Sequence, residues 1–204
     1  MKWFILKVIK KFIWLEMKKI KYFRFDDVCI NADMDLINKM TDFLVDRFKD
    51  CVVLWGVSPL VHDMSQEISE IEKQRIFPKI LNAYSDYKNF YKVDLAGLPK
   101  FNPNATLAAH GLIHVDHRLL PKSAQEISIL ISASLVKSKI FIPPFNKWNK
   151  DTEDICNEHG IELIKFEDGW LSMEHNEFNK KHDKWYLHAR EFNFKEFKNW
   201  FDNV

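Results

Sequence analysis

Two adjacent acids, Asp26 and Asp27, close the alternating stretch KYFRFDDV, and two histidines, His110 and His114, follow the short apolar run TLAA. A carboxylate with two imidazoles is a ligand set for Zn²⁺ or another divalent ion that leaves coordination positions open for water and substrate, the pattern of a catalytic metal site more than of a structural one. His110 and His114 come to one side if the chain turns helically after Gly111, and His117 continues that face. Taken singly, each feature has a plainer reading: an Asp-Asp pair caps helices or sits in solvated turns, and two histidines four apart share a face by chance. Their order along the chain, each at the end of an expected strand, favours the metal reading. His62, His159, His175 and His182 lie in polar surroundings and read as solvated.

The elements that must position these groups alternate. Lys21 to Val28 reads as a strand, Asp35 to Phe48 carries Leu36, Met40, Phe43, Leu44 and Phe48 at helical spacing, and Cys51 to Val57 is a buried strand closed by Ser58-Pro59. Residues 62 to 92, polar and aromatic with Pro78 inside, are expected to form one or two helices or an elaborated crossover. Thr106 to Ala109 and Ile140 to Ile142 read as strands, the second stopped by Pro143-Pro144; Ala124 to Val136 is helical by pattern. Asp151 to His159 is an expected helix ending at Gly160, followed by strands at Ile161 to Phe166 and Lys184 to His188. Strands alternating with helices imply a parallel α/β architecture, a barrel or an open sheet of about six strands. In such folds chemistry collects at the carboxyl ends of the strands, where Asp26-Asp27, His110, Pro143 to Asn146 and His188 fall.

Composition removes several alternatives. The chain has 204 residues with 47% hydrophobic and 29% charged, and 30 basic residues nearly cancel 29 acidic ones, which fits one compact domain and disfavours disorder or nucleic-acid coating. Five glycines without GxGxxG or GxxxxGK[ST] exclude those nucleotide-binding motifs. Cys29, Cys51 and Cys156 are odd in number and widely spaced, which argues against a disulfide framework or a thiolate zinc site and for a reducing, cytoplasmic compartment. Residues 1–20 form a separate basic segment: Lys7, Lys10, Lys11 and Lys18 cluster within about 100° of a helical wheel, opposite Phe4, Ile5, Val8, Ile9, Phe12 and Leu15. The lysines interrupt the run before it reaches a bilayer span, so the segment suits either peripheral contact with an anionic membrane surface or, the plainer reading, a helix docked on the domain.

The motifs FRFDDV, AAHGLIH, FIPPFNKWN and YLHARE, in this order over residues 22 to 190, resemble those of the polysaccharide deacetylase superfamily, the NodB-homology or family 4 carbohydrate esterases, and most closely a polysaccharide-deacetylase-like branch with His-Gly-x-x-His and Pro-Pro-Phe/Tyr-Asn. The resemblance implies a distorted (β/α)7 barrel over residues 21–204 and one divalent ion, usually zinc, used to hydrolyse the acetyl amide of an N-acylated sugar or polysaccharide. It assigns Asp27, His110 and His114 as metal ligands, Asp26 as general base and His188 as general acid. A backbone N–H near Phe145 would complete an oxyanion hole after two prolines that have none. Phe145, Asn146, Trp148 and Trp170 are the candidate substrate contacts.

The sequence departs from the pattern at Ile142, where family members carry an arginine that orients the base. Arg24, Arg118 and Arg190 are candidates to replace it. Val28 stands where glycine is usual, and Ala189-Arg190 follows His188 where an acid is usual. The competing readings are a catalytically silent barrel that binds a glycan or a protein, and a metal-dependent esterase or deformylase using the same site on another acyl group.

Overall fold

A computed structural model of the chain describes residues 20–28, 32–59, 102–112, 114–188 and 192–202. The basic segment at residues 1–19, the helices expected within 62–92, Cys29, His62 and Arg190 lie outside the described residues. Seven parallel strands form one sheet: β1 Tyr22–Val28, β2 Val52–Val57, β3 Ala105–Ala109, β4 Ile140–Phe141, β5 Glu162–Leu163, β6 Leu171–Ser172 and β7 Lys184–His188. Their order across the sheet is β5-β4-β3-β2-β1-β7-β6, so strands follow chain order around a ring that joins at β1–β7 and stays open between β5 and β6. That is a distorted (β/α)7 barrel. The expected strand at Ile161 to Phe166 is shorter than its apolar pattern suggests, because the chain turns into a 3-10 helix at Phe166–Asp168; β6 had no sequence signal, being only two residues long.

Among the described residues, four helices pack outside the strands: α1 Met34–Arg47, α2 Lys122–Leu135, α3 Lys150–Glu158 and α4 Phe194–Asp202. In α1, Asp33 caps the first turn by accepting from the Leu36 N–H, and Ile37, Met40, Thr41 and Leu44 form the buried stripe at the spacing a helix requires. Asn149 and Thr152 make a reciprocal capping box on α3, and Gly160 just past its end has φ 62°.

Because β1 is buried on both sides, its alternate residues serve two different interiors. Phe23 and Phe25 face outward into an aromatic layer with Phe43 and Phe48 of α1 and its C-cap, Phe197 and Phe201 of α4, and Phe178. Phe201 is central to it, with rings of Phe178 at 5.0 Å and Phe48 at 5.7 Å. Arg24 and Asp26 face the barrel interior. Truncating Phe201 to alanine removes a fully buried ring from the layer that holds α1 and α4 to β1. The expected loss is about 3–5 kcal/mol of stability, measured by urea unfolding.

Candidate metal centre

Successive residues of a strand point to opposite faces, so an unbroken β1 would send Asp26 into the barrel and Asp27 out of it. The pairing of β1 with β2 prevents this. Phe25 is opposite Trp55 and Val28 is opposite Val57, so one extra residue of β1 is absorbed between them as a bulge, and Asp27 takes φ 60°. Aspartate is among the few residues that adopt this left-handed region, at a cost of about 1–3 kcal/mol. The result is that both carboxylates lie at the carboxyl end of the barrel.

His110 follows β3 directly, anchored by its N–H to the Val57 carbonyl at 2.9 Å. Gly111 has φ 78°, and neither Leu112 nor His114 is helical. This corrects the expected helical turn, since the left-handed glycine redirects the chain before any helical hydrogen bond can form. Asp27 Oδ1 lies 2.9 Å from His114 Nε2 and 3.3 Å from His110 Nε2, and one ligand atom from each of the three residues lies within 4.8 Å of the others.

The chemistry of this donor set fits a cation. His110 Nδ1–H donates to the Ile142 carbonyl at 2.8 Å, which fixes the tautomer and leaves the Nε2 lone pair facing Asp27. A lone pair and a carboxylate oxygen facing one another are two acceptors, and both atoms are buried without a hydrogen bond. A divalent ion at their convergence satisfies both. The donors fit Zn²⁺ among several divalent ions.

Two further groups stand beside the cluster. Asp26 is buried, with Oδ2 2.7 Å from Arg24 Nη2 and Oδ1 without a hydrogen bond. His188, the last residue of β7, is the backbone partner of Asp26 across the sheet. Its Nδ1–H donates to Glu174 Oε1 at 2.9 Å, and the same oxygen accepts its backbone N–H at 2.7 Å. The contact with Glu174 raises the His188 pKa, burial opposes the shift, and the charges of Asp27 and Asp26 add to it. Sequence reasoning missed Glu174, which lies in the connection between β6 and β7 and belongs to no motif.

The turn after β4 is strained. Following Pro143-Pro144, both Phe145 and Asn146 have positive φ, 58° and 57°, which sets the half-exposed Phe145 ring 4.2 Å from that of His114. Asn146 Oδ1 accepts from Arg24 Nη2 at 2.5 Å. The other sequence candidates stand elsewhere. Trp148 donates to Glu167 at 3.3 Å and carries Lys165 on its face at 4.2 Å. Trp170 is buried against Arg24 and lines a cavity of about 430 Å³ with Tyr22, Leu54, Ile140 and Lys184, at the amino ends of the strands. Arg118 pairs with Asp116. His117 does not share the face of His110 and His114: it is buried in a 3-10 turn with Nε2 3.0 Å from Ser128 Oγ, and burial pushes its pKa down to about 3.

No family model matches the chain, and no curated protein matches it. Similar solved structures include a CE4 family pseudoenzyme from Bacillus anthracis, with TM-score 0.49 and 9% identity over 84% of this chain and 55% of that one. The chain thus spans about half the length of that protein. A family 4 carbohydrate esterase from Streptomyces lividans in complex with acetate has TM-score 0.48 and 9% identity, over 90% of this chain and 84% of that one. The peptidoglycan deacetylase PdaC from Bacillus subtilis has TM-score 0.45 and 10% identity, over 91% and 82%.

Gly56 of β2 is the floor of the cluster. A Cβ there would sit 3.3 Å from Asp26 Oδ1 and 3.4 Å from His110 Cγ, tighter than ordinary contact. Gly56→Val is therefore expected to lower Zn²⁺ affinity by about 10-fold or more with the far-ultraviolet dichroism unchanged, as read by calorimetric titration.

Proposed function

We propose that this chain is a metal-dependent hydrolase that cleaves the amide bond of an N-acylated sugar, releasing acetate or another small acyl group. The observation that carries the reading is the buried convergence of Asp27, His110 and His114, with the His110 tautomer fixed from Ile142, beside a second carboxylate and a carboxylate-paired histidine. A divalent ion held by those three residues, when bound, supplies Lewis acidity toward a carbonyl oxygen and water that ionises near neutral pH.

The remaining chemistry belongs to the chain. Asp26, whose Oδ1 has no hydrogen bond, accepts the proton of the attacking water. Amide cleavage also needs a proton for a poor leaving group, and His188, kept protonated to higher pH by Glu174, delivers it to the departing amine nitrogen. Pro143 and Pro144 have no N–H, so Phe145 offers the first backbone donor of its turn to the carbonyl oxygen as charge develops there. The exposed Phe145 ring supplies an apolar face of the kind that packs against a sugar ring.

The test is metal content and acetate release from N-acetylated chito-oligosaccharides. Wild type is expected to hold about one equivalent of Zn²⁺ and His110→Ala/His114→Ala almost none. Asp26→Asn should keep the metal and lose about 10²-fold or more in kcat. Equal turnover by Asp26→Asn removes that residue from the mechanism, and a loaded wild type that releases no acetate from any acylated sugar overturns the hydrolase reading in favour of a binding barrel.

A pH profile tests His188. Glu174 raises the pKa of His188, so the protonated acid persists to higher pH while Glu174 is present. In Glu174→Gln the acid form is lost at lower pH. The alkaline limb of kcat/KM should accordingly move toward acid, and an unmoved limb assigns the proton donor elsewhere.

A further inference from the structure

Arg24 is a charged residue with no solvent exposure, placed inside the barrel two residues before the acids of the site. A buried guanidinium that serves only packing or charge neutralisation meets its carboxylate through the fork, with two parallel hydrogen bonds and its remaining donors satisfied. Arg24 does neither. Nη2 alone contacts Asp26 Oδ2, at 2.7 Å, and the same nitrogen donates to Asn146 Oδ1 at 2.5 Å, while Nε and Nη1 have no hydrogen bond. What holds the guanidinium is aromatic: its carbon lies 5.0 Å from the Trp170 ring centre and 4.8 Å from that of Tyr186.

The one-oxygen contact has a chemical consequence. It ties down Oδ2 and leaves Oδ1 of Asp26 buried and unpartnered, above Gly56 on the side where the His110 ring also packs. The second contact reaches the strained turn, whose two left-handed residues set Phe145 against His114 at 4.2 Å. A single nitrogen thus joins the carboxylate to the turn that forms the opposite wall of the site.

We infer that Arg24 is a positioning residue for the hydrolytic step: Nη2 holds Asp26 Oδ2 and Asn146 Oδ1 together, so that the other Asp26 oxygen and the Phe145 turn both face the Asp27, His110 and His114 group. The inference rests on the assignment of Asp26 as proton acceptor. Trp170 and Tyr186 act through Arg24 by clamping it, which gives Trp170 a part in the site without contact with substrate. Lysine keeps the charge but lacks the planar guanidinium that Trp170 and Tyr186 hold, so its nitrogen, on a flexible stem, is not fixed between the two acceptors.

The experiment compares wild type, Arg24→Lys, Arg24→Met, Asn146→Ala, Asp26→Asn and the double variant Arg24→Met/Asp26→Asn, all as full chains. The double variant removes both buried charges and remains informative if Arg24→Met alone fails to fold. Cobalt loading is read by visible absorption, and acetate release from N-acetylated chito-oligosaccharides is resolved into kcat and KM. Arg24→Lys and Arg24→Met are expected to keep the wild-type cobalt spectrum and a KM within about twofold while kcat falls by about 10²-fold, with Asn146→Ala intermediate.

The double variant should be no slower than Asp26→Asn alone, because Arg24 acts through Asp26. Wild-type kcat in Arg24→Lys and Asn146→Ala, or a double variant slower than Asp26→Asn, overturns the inference. Crystal structures of wild type and Arg24→Lys supply a readout independent of turnover: the Asp26 carboxylate should rotate and the positive φ of Asn146 should be lost. An unchanged Asp26 rotamer overturns the positioning role, whereas a rotated carboxylate in a chain without turnover sustains it and refutes the hydrolase reading alone.

Discussion

The whole site depends on one irregularity in β1. A regular strand cannot direct two consecutive side chains to the same side, yet the proposed hydrolysis needs the Asp26 and Asp27 carboxylates together at the barrel mouth. The bulge between Phe25 and Val28 resolves the conflict by giving Asp27 a left-handed backbone, so that it swings toward His110 and His114 while Asp26 keeps its inward register. Its energetic cost is carried by the strand around it. Phe23 and Phe25 are fully buried in the aromatic layer under α1 and α4 and Val28 in the same hydrophobic core, and their burial fixes the register on both sides of the bulge.

Concentrating charge in the barrel mouth creates a second constraint. Asp26, Asp27 and Arg24 are all buried, with His110 beside them. Each must be compensated where it stands, because water cannot do it. Arg24 compensates Asp26 from within the same strand, the imidazoles face Asp27, and Glu174 faces His188 from the β6–β7 connection. The pairs share no members, so Asp26 and His188 are tuned by different neighbours. His117 shows the contrary case: a histidine close in sequence to His110 and His114, kept neutral by burial, whose work is to hold Ser128 of α2.

Much of the fold was legible because its signals are local. Buried strands stopped by prolines, amphipathic spacing in α1, and the glycine that ends α3 depend on residues within a few positions of one another, and the observed limits differ from the expected ones by a residue or two at most ends. Strands of two residues are another matter. β6 has no periodicity to display, and β5 ends where the backbone turns, not where the apolar run ends.

The sequence by itself determined the residue types available for chemistry, their order, and their places at the ends of parallel strands, since alternation of strands and helices forces those ends to one face. Only the tertiary structure decided which groups meet. That Asp27 turns inward depends on a register slip against β2; that Arg24, not Arg118, contacts Asp26 depends on the inward face of β1; and that Glu174 holds His188 depends on a connection with no regular structure. These are contacts between groups brought together by sheet pairing and by loops, and pairing geometry is set by the packing of the whole barrel, which no short stretch of chain encodes.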